Sequence, residues 1–256
     1  MLGYLYAIKC NASTIIDTDD DNIPYENWDF PEFDGEFDTV KSNLGFVNIY
    51  SLFTQQRIWP RGLPLEIINQ PNTIEISQKK QRSVGVWQGL ADGDPDVDAI
   101  YRLTSDEACN FTPRSPVCVE PQTFCPFNSQ NTAFRRELFP LLYLPTTVTF
   151  RYTDILRSTV AQPIMWANGF HLGFTGATVV QKRNPHDYIK DFESEVPMYL
   201  TNKLAYSVAE NAIRRGDSIS QQLLSAYEAL AERGIVKSAE IETLTAWLDD
   251  LCKLKF

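Results

Sequence analysis

Histidine is scarce in this 256-residue chain, which has only His171 and His186, and no Cys/His spacing in it fits a zinc ribbon. No apolar run approaches the roughly 20 residues needed to span a bilayer. The opening residues, Met1 to Lys9, lack the basic leader and long apolar stretch of a signal peptide. Basic residues are a minority, 23 Lys and Arg against 33 Asp and Glu, giving a net charge of −10 with no Lys/Arg cluster. Displacing counterions from nucleic acid requires such a cluster, so a nucleic-acid partner is excluded, and anionic membrane surfaces are disfavoured. An anionic substrate is approachable mainly through a divalent cation. Internal repeats and low-complexity tracts are absent.

What is present fits an ordinary globular chain: 43% hydrophobic and 12% aromatic residues, ample for a buried core in one large or two small domains. Of five cysteines, Cys10 and Cys252 read as isolated, buried thiols. Cys109, Cys118 and Cys125 share a Pro-rich loop. A lumenal disulfide among them is left open, since three is an odd number. The sequons at Asn11 and Asn110 matter only in a secretory compartment.

Along the chain, Leu2, Leu5, Tyr6 and Ile8 give a helical stripe over the first nine residues. Thr14-Ile15-Ile16 reads as a buried strand that breaks into acids. A strand whose C-terminal tip carries carboxylates places ligands beyond that tip. Residues 24–45 read as loop, Phe46 to Tyr50 as a strand, Trp59 to Pro64 as a turn-rich connector and Val84 to Leu90 as a strand. Thr132 to Leu138 reads as a short helix, Val148 to Phe150 as a strand, and 153–168 as a helix stopped at Asn168-Gly169. Gly176 to Gln181 follows as a strand, and 187–213 as helix broken at Pro197. Ser218 and Ser238 then cap two helices with one-sided apolar faces, a hairpin separated by Gly234. The expected organisation is an α/β domain over 1–200 and a helical extension over 201–256.

The strongest chemical signal is Asp17-Thr18-Asp19-Asp20-Asp21-Asn22, four carboxylates within five residues. Such crowding raises the cost of folding unless solvent or a cation separates the charges. Mg²⁺ and Mn²⁺ take hard oxygen ligands and bridge carboxylates to substrate phosphates. The plainer alternative is a solvated acidic turn. An EF-hand loop starting at Asp17 fails, because its sixth and twelfth positions are Asn22 and Trp28 rather than Gly and Glu. A phosphatase with Asp17 as nucleophile and Asp19 as acid remains a chemical alternative. A second acidic run, Asp92 to Asp98, reads as a turn, with Asp98 to Arg102 expected to line a ligand. His171, between Phe170 and Leu172, reads as packed.

Four segments in order resemble one family. Gly3 to Ile8 with Ile16 to Asn22 resembles the DXD region of the STELLO glycosyltransferase-like proteins and of the related reversibly glycosylated polypeptides, the UDP-arabinopyranose mutases. Asn128 to Phe134 with Arg135 to Leu138 resembles their N-x-A-F segment. Phe150 to Ser158 resembles their R-Y-x-D motif, and Lys182 to Asp187 with Lys190 to Glu195 is similar to the closing STELLO motif. The resemblance implies a GT-A fold, with Asp19 and Asp21 holding Mn²⁺ or Mg²⁺ against the diphosphate of a UDP-sugar donor. It implies Asp154 near the acceptor or reacting sugar, as catalytic base or else as a helix cap, and a late His, His186, as a further metal ligand. The mutase-like relatives place a His nearer the position of Gln181. Lys182 and Arg183 are candidates to grip phosphate, Arg through its bidentate fork. The chain is expected to lack the uridine-binding half that precedes the DXD strand. A Golgi lumenal setting and an acceptor that is a glycan or a protein follow from the family. So does a rival reading as a non-catalytic scaffold that meets partners through its C-terminal helices.

Overall fold

The computed structural model describes residues 1–70, 74–105 and 107–256. Within them, seven strands form one mixed sheet with helices on its flanks, the mixed α/β arrangement expected of a GT-A-like chain. The strands are β1 (Thr14–Thr18), β2 (Asn22–Pro24), β3 (Asp34–Ser42), β4 (Ile74–Asp92), β5 (Val117–Val119), β6 (Asn131–Arg135) and β7 (His171–Gln181). Their order is β1-β6-β4-β3-β5-β7-β2, with an added parallel pairing of β4 to β7. The long β4 changes partner midway. Its polar, exposed first half pairs antiparallel with β3, whereas Val84 to Asp92 pairs parallel with β7 and Val86 to Gln88 also pairs with β6. That second half is buried throughout Val84 to Ala91, as a strand covered on both faces must be. Gly173 on β7 lets the Trp87 ring lie against the backbone, where a Cβ would stand 2.4 Å from it.

Several sequence expectations change in the folded chain. β1 is an edge strand paired antiparallel to β6, with Ile15 buried and Ile16 37% exposed, not a strand buried on both sides. Residues 24–45 contain part of β2 and all of β3, whose Val40 and Ser42 turn inward. Phe46 makes only an isolated bridge to Phe124, and Ile49–Leu52 is a 3₁₀ turn. The expected helix at 132–138 is instead β6 followed by a 3₁₀ segment, Arg136–Leu142. Its backbone is claimed by β1 on one side and β4 on the other, and such pairing overrides local propensity. Val148 to Phe150 is not a strand, because Thr149 is the N-cap of α3 (Phe150–Ala167). That helix does stop at Asn168, with Gly169 at φ +80°.

The other helices are α1 (Leu2–Lys9), α2 (Ala99–Thr104), α4 (Tyr188–Ala212), α5 (Ile219–Glu232) and α6 (Ala239–Lys253). Helix α4 runs unbroken through Pro197 and across residue 200. The missing Pro197 N–H would have served the carbonyl of Glu193, an exposed residue whose backbone water can satisfy. Ser218 and Gln221 form a reciprocal capping box on α5, while Ser238 makes no side-chain cap bond on α6. All five cysteines are free thiols. Cys109, Cys118 and Cys125 are buried, but Cys10 and Cys252, expected inside, are exposed at a helix end and on the outer face of α6.

The C-terminal pair packs its apolar faces inward: Leu223, Tyr227 and Leu230 on α5, Leu244, Trp247 and Leu251 on α6. The Trp247 indole N–H donates to the Pro140 carbonyl at 3.0 Å. Glu240, fully buried, accepts from the Thr146 N–H at 2.9 Å, the Thr147 N–H at 2.7 Å and the Thr147 hydroxyl at 2.6 Å, and also from the Tyr143 hydroxyl. This ties α6 to the segment that launches α3. Removing the carboxylate orphans several buried donors, so Glu240→Ala should lower unfolding free energy by roughly 2–4 kcal/mol in urea titration. A loss below about 1 kcal/mol would contradict the anchoring role.

Candidate functional site

The C-terminal ends of β1, β4 and β7 and the start of β6 meet at one edge of the sheet, the position at which open α/β sheets bind ligands. A cavity of about 330 Å³ opens there. One wall is the acidic turn between β1 and β2. Asp19 N–H donates to the Gln130 carbonyl at 3.1 Å, and Lys182 N–H donates to the Asp21 carbonyl at 3.1 Å, so the turn is pinned from both sides. Gln181, the last residue of β7, donates its amide to Asp19 Oδ2 at 3.1 Å and to Asp21 Oδ1 at 2.8 Å. Gln130 holds the Gln181 oxygen in turn and accepts from the Asp96 N–H at 3.2 Å.

The floor is a buried ion-pair triad. Arg61 reaches Asp96 through Nε at 2.9 Å and Nη2 at 2.8 Å, and Asp154 through Nη1 at 3.0 Å and Nη2 at 2.8 Å. Arg61 is 5% exposed. Against the cost of burial, its guanidinium holds Asp96 below the usual carboxylate range. The 59–64 connector that delivers Arg61 is itself fixed. Gly62 sits at φ +90° with no room for a Cβ beside Ile155, and the Trp59 indole N–H donates to Asp98 Oδ2 at 2.7 Å. Asp154 stands in the second turn of α3, so it is not that helix's cap.

The opposite wall is cationic. Arg151 is clamped by buried Glu195, with Nε at 2.9 Å and Nη2 at 2.6 Å from Oε1. Arg183 lies 3.5 Å from Asp191, and its Nε is buried without a hydrogen-bond partner. Burial, then the charges of Arg102 and Arg151, push the Arg183 guanidinium below its usual range. His186 lines the cavity with Nδ1 3.0 Å from Asp191 Oδ2.

Of the residues singled out in the sequence, Asp19, Asp21, Asp154, Arg183 and His186 thus share one cavity. Lys182 contributes its backbone to the acidic turn, and its exposed side chain lies outside the lining. Asp17 also lies outside it, accepting from the Tyr4 hydroxyl at 2.7 Å and from Arg157 Nη1 at 2.9 Å. Asp98 caps α2, and Tyr101 and Arg102 are buried beneath the cavity rather than lining it. His171 is half-buried, with Nδ1 3.3 Å from the Ser83 carbonyl. Arg61 and Asp96 carry no signal in the sequence, because an arginine in a turn and one acid within an acidic run have no periodicity. For Gln181 the signal is its position, near which the mutase-like relatives carry a His.

Among the described residues, no three His, Cys, Asp or Glu side chains converge as a ligand set. The carboxylates of Asp19 and Asp21 are nevertheless hard oxygen ligands of the kind Mg²⁺ or Mn²⁺ takes, with the Gln181 amide N–H group between them. The local charge agrees with a cation. Burial, followed by the neighbouring charges of Asp96, Asp21 and Asp154, raises Asp19 from 3.8 to about 7. The native state therefore holds that proton more tightly than the unfolded chain, and stability falls as pH rises from about 4 through about 7. Asp19→Asn removes the titrating charge. It should flatten the decline in melting temperature between pH 5 and pH 8 and raise the value at pH 8 by roughly 2–4 °C, equivalent to about 1 kcal/mol in a chain of this size. A lower melting temperature for Asp19→Asn at pH 8 would contradict this electrostatic picture.

The model of the STELLO glycosyltransferases matches residues 151–256. The Arabidopsis thaliana proteins named "Probable glycosyltransferase STELLO2" and "Probable glycosyltransferase STELLO1" are 28% and 29% identical to the chain, over 98% of its length. The chain spans about a third of the length of these relatives, 35% in each case. The matched region opens at Arg151, and the longer similarity takes in the acidic turn, Arg61 and Asp96 as well. By both comparisons, the chain is similar to the STELLO glycosyltransferases.

Proposed function

We propose that this cavity is the transfer site of a metal-dependent glycosyltransferase that uses a nucleotide sugar, with UDP-sugar as donor. The observation that supports this most is the meeting of the Asp19–Asp21 turn, Asp154 and Arg183 around one cavity, although together they span more than 160 residues of chain. Asp19 and Asp21 would hold Mn²⁺ or Mg²⁺, with Gln181 fixing the two carboxylates relative to each other. Such a cation supplies Lewis-acid neutralisation of the charge that develops on a leaving diphosphate. Arg183 lines the same space, and its guanidinium suits a diphosphate oxygen. His186, tied to Asp191, stands at the rim, where it can bond a phosphate or complete the cation's shell.

Asp154 is the residue we assign to the acceptor. Arg61 engages both of its oxygens and the Ser129 N–H meets Oδ2 at 3.3 Å, so the carboxylate is fixed in direction. Its role on this reading is to accept a hydrogen bond from the acceptor hydroxyl and orient it for attack. By family resemblance, the setting would be the Golgi lumen. No helix among the described residues is long and apolar enough to cross a membrane.

The phosphatase alternative needs a free Asp17, yet both oxygens of that carboxylate accept hydrogen bonds from Tyr4, and Oδ2 also meets Arg157. The scaffold alternative needs the C-terminal helices to offer an apolar face, but the faces noted above are packed on the body. Thermal-shift titration discriminates among the three. Mn²⁺ with UDP at about 100 times Kd should stabilise the chain by about 2.7 kcal/mol, and Asp19→Ala with Asp21→Ala should abolish the shift. Absence of any shift in the folded wild type favours the scaffold. Metal-dependent phosphate release that Asp17→Asn abolishes would favour the phosphatase.

A further inference from the structure

The cavity is charged or polar almost throughout. Among the described residues that line it, Leu144 and Phe150 are the two apolar exceptions, and both stand on the α3 side, away from the acidic turn. Phe150 is 90% exposed, the most exposed of the large apolar side chains described. Nothing in helix formation calls for a phenyl ring at the first residue of α3. Thr149 supplies the N-cap, and the aromatic ring makes no core contact. Its neighbours, however, are the site itself. Arg151 follows it with its guanidinium clamped by Glu195, and Asp154 lies four residues on, so that Phe150 and Asp154 project from the same helix face. Leu144, half-buried, extends the apolar rim.

An aromatic face beside fixed hydrogen-bonding groups selects a particular kind of ligand. Neither a divalent cation nor a diphosphate gains anything from a phenyl ring. A pyranose does, because the C–H groups on one face stack on the ring while hydroxyls around its edge meet polar groups. We propose that Phe150, with Leu144, is the stacking platform for a sugar ring of the acceptor, that the acceptor is therefore a glycan, and that Phe150 ranks it in register so that one hydroxyl reaches Asp154. This rests on the reading of the cavity as a transfer site and adds the acceptor's chemical class to it.

The test uses the full chain and a panel of tetrasaccharides with gluco-, xylo-, manno- and galacto-configured units, followed by saturation-transfer NMR and calorimetry. The Mn²⁺–UDP thermal shift is recorded as a separate arm. The expected result is that at least one tetrasaccharide binds. Phe150→Ala should weaken it at least tenfold, Phe150→Trp should restore it to within about threefold, and the Mn²⁺–UDP shift should be unchanged in both variants. If Mn²⁺–UDP binds but no tetrasaccharide does, or Phe150→Ala leaves its affinity unaltered, the platform is refuted while the donor site stands. If a tetrasaccharide binds in a Phe150-dependent manner without any Mn²⁺–UDP shift, the platform stands and the donor assignment fails. Loss of the Mn²⁺–UDP shift in Phe150→Ala would put the uracil ring on Phe150 and overturn the proposal.

Discussion

Arg61 is the charge around which the site is assembled. A guanidinium that is 5% exposed would be prohibitively costly alone, and it is tolerated because Asp96 and Asp154 together occupy its donors. Each partner comes from a different part of the chain: Asp96 from the segment after β4, Asp154 from α3, and Arg61 from the connector between them in space. Fixing that one cation therefore fixes the distance between the end of the sheet and the helix that faces it. A second buried arginine repeats the device one layer down. Arg157 links Asp17 at the end of β1 to Ser129 ahead of β6, with the Phe134 ring 5.0 Å away. The two arginines bind the acidic turn and α3 into a single unit.

Above this floor the cavity is electrostatically divided. The Asp19–Asp21 side has more negative charge than its partners neutralise, and burial makes the excess felt at Asp19. The opposite side is closed in ion pairs, Arg151 with Glu195 and Arg183 with Asp191 at 3.5 Å. A ligand that brings positive charge to the turn would relieve the excess there.

The C-terminal helices belong to the same mechanical system. Glu240 on α6 holds Thr146 and Thr147, three and two residues before the α3 cap, so the direction of α3 depends on a residue ninety positions past Phe150.

The sequence by itself determined the elements whose signals are local. The helix over the first nine residues, the stop at Gly169, the capping box at Ser218 and the acidic turn after Ile16 were all legible from spacing and residue type. So was the ordered set of motifs that placed Asp19, Asp21, Asp154, Arg183 and His186 together. The tertiary structure alone decided what depends on partners distant in sequence. Thr132 to Arg135 became a strand because β1 and β4 claimed its backbone, and Phe46 to Tyr50 did not because no strand lay alongside. Arg61 and Asp96 became the floor of the site only when three separated segments met, since a buried ion pair is a property of two places and no single stretch of sequence contains it.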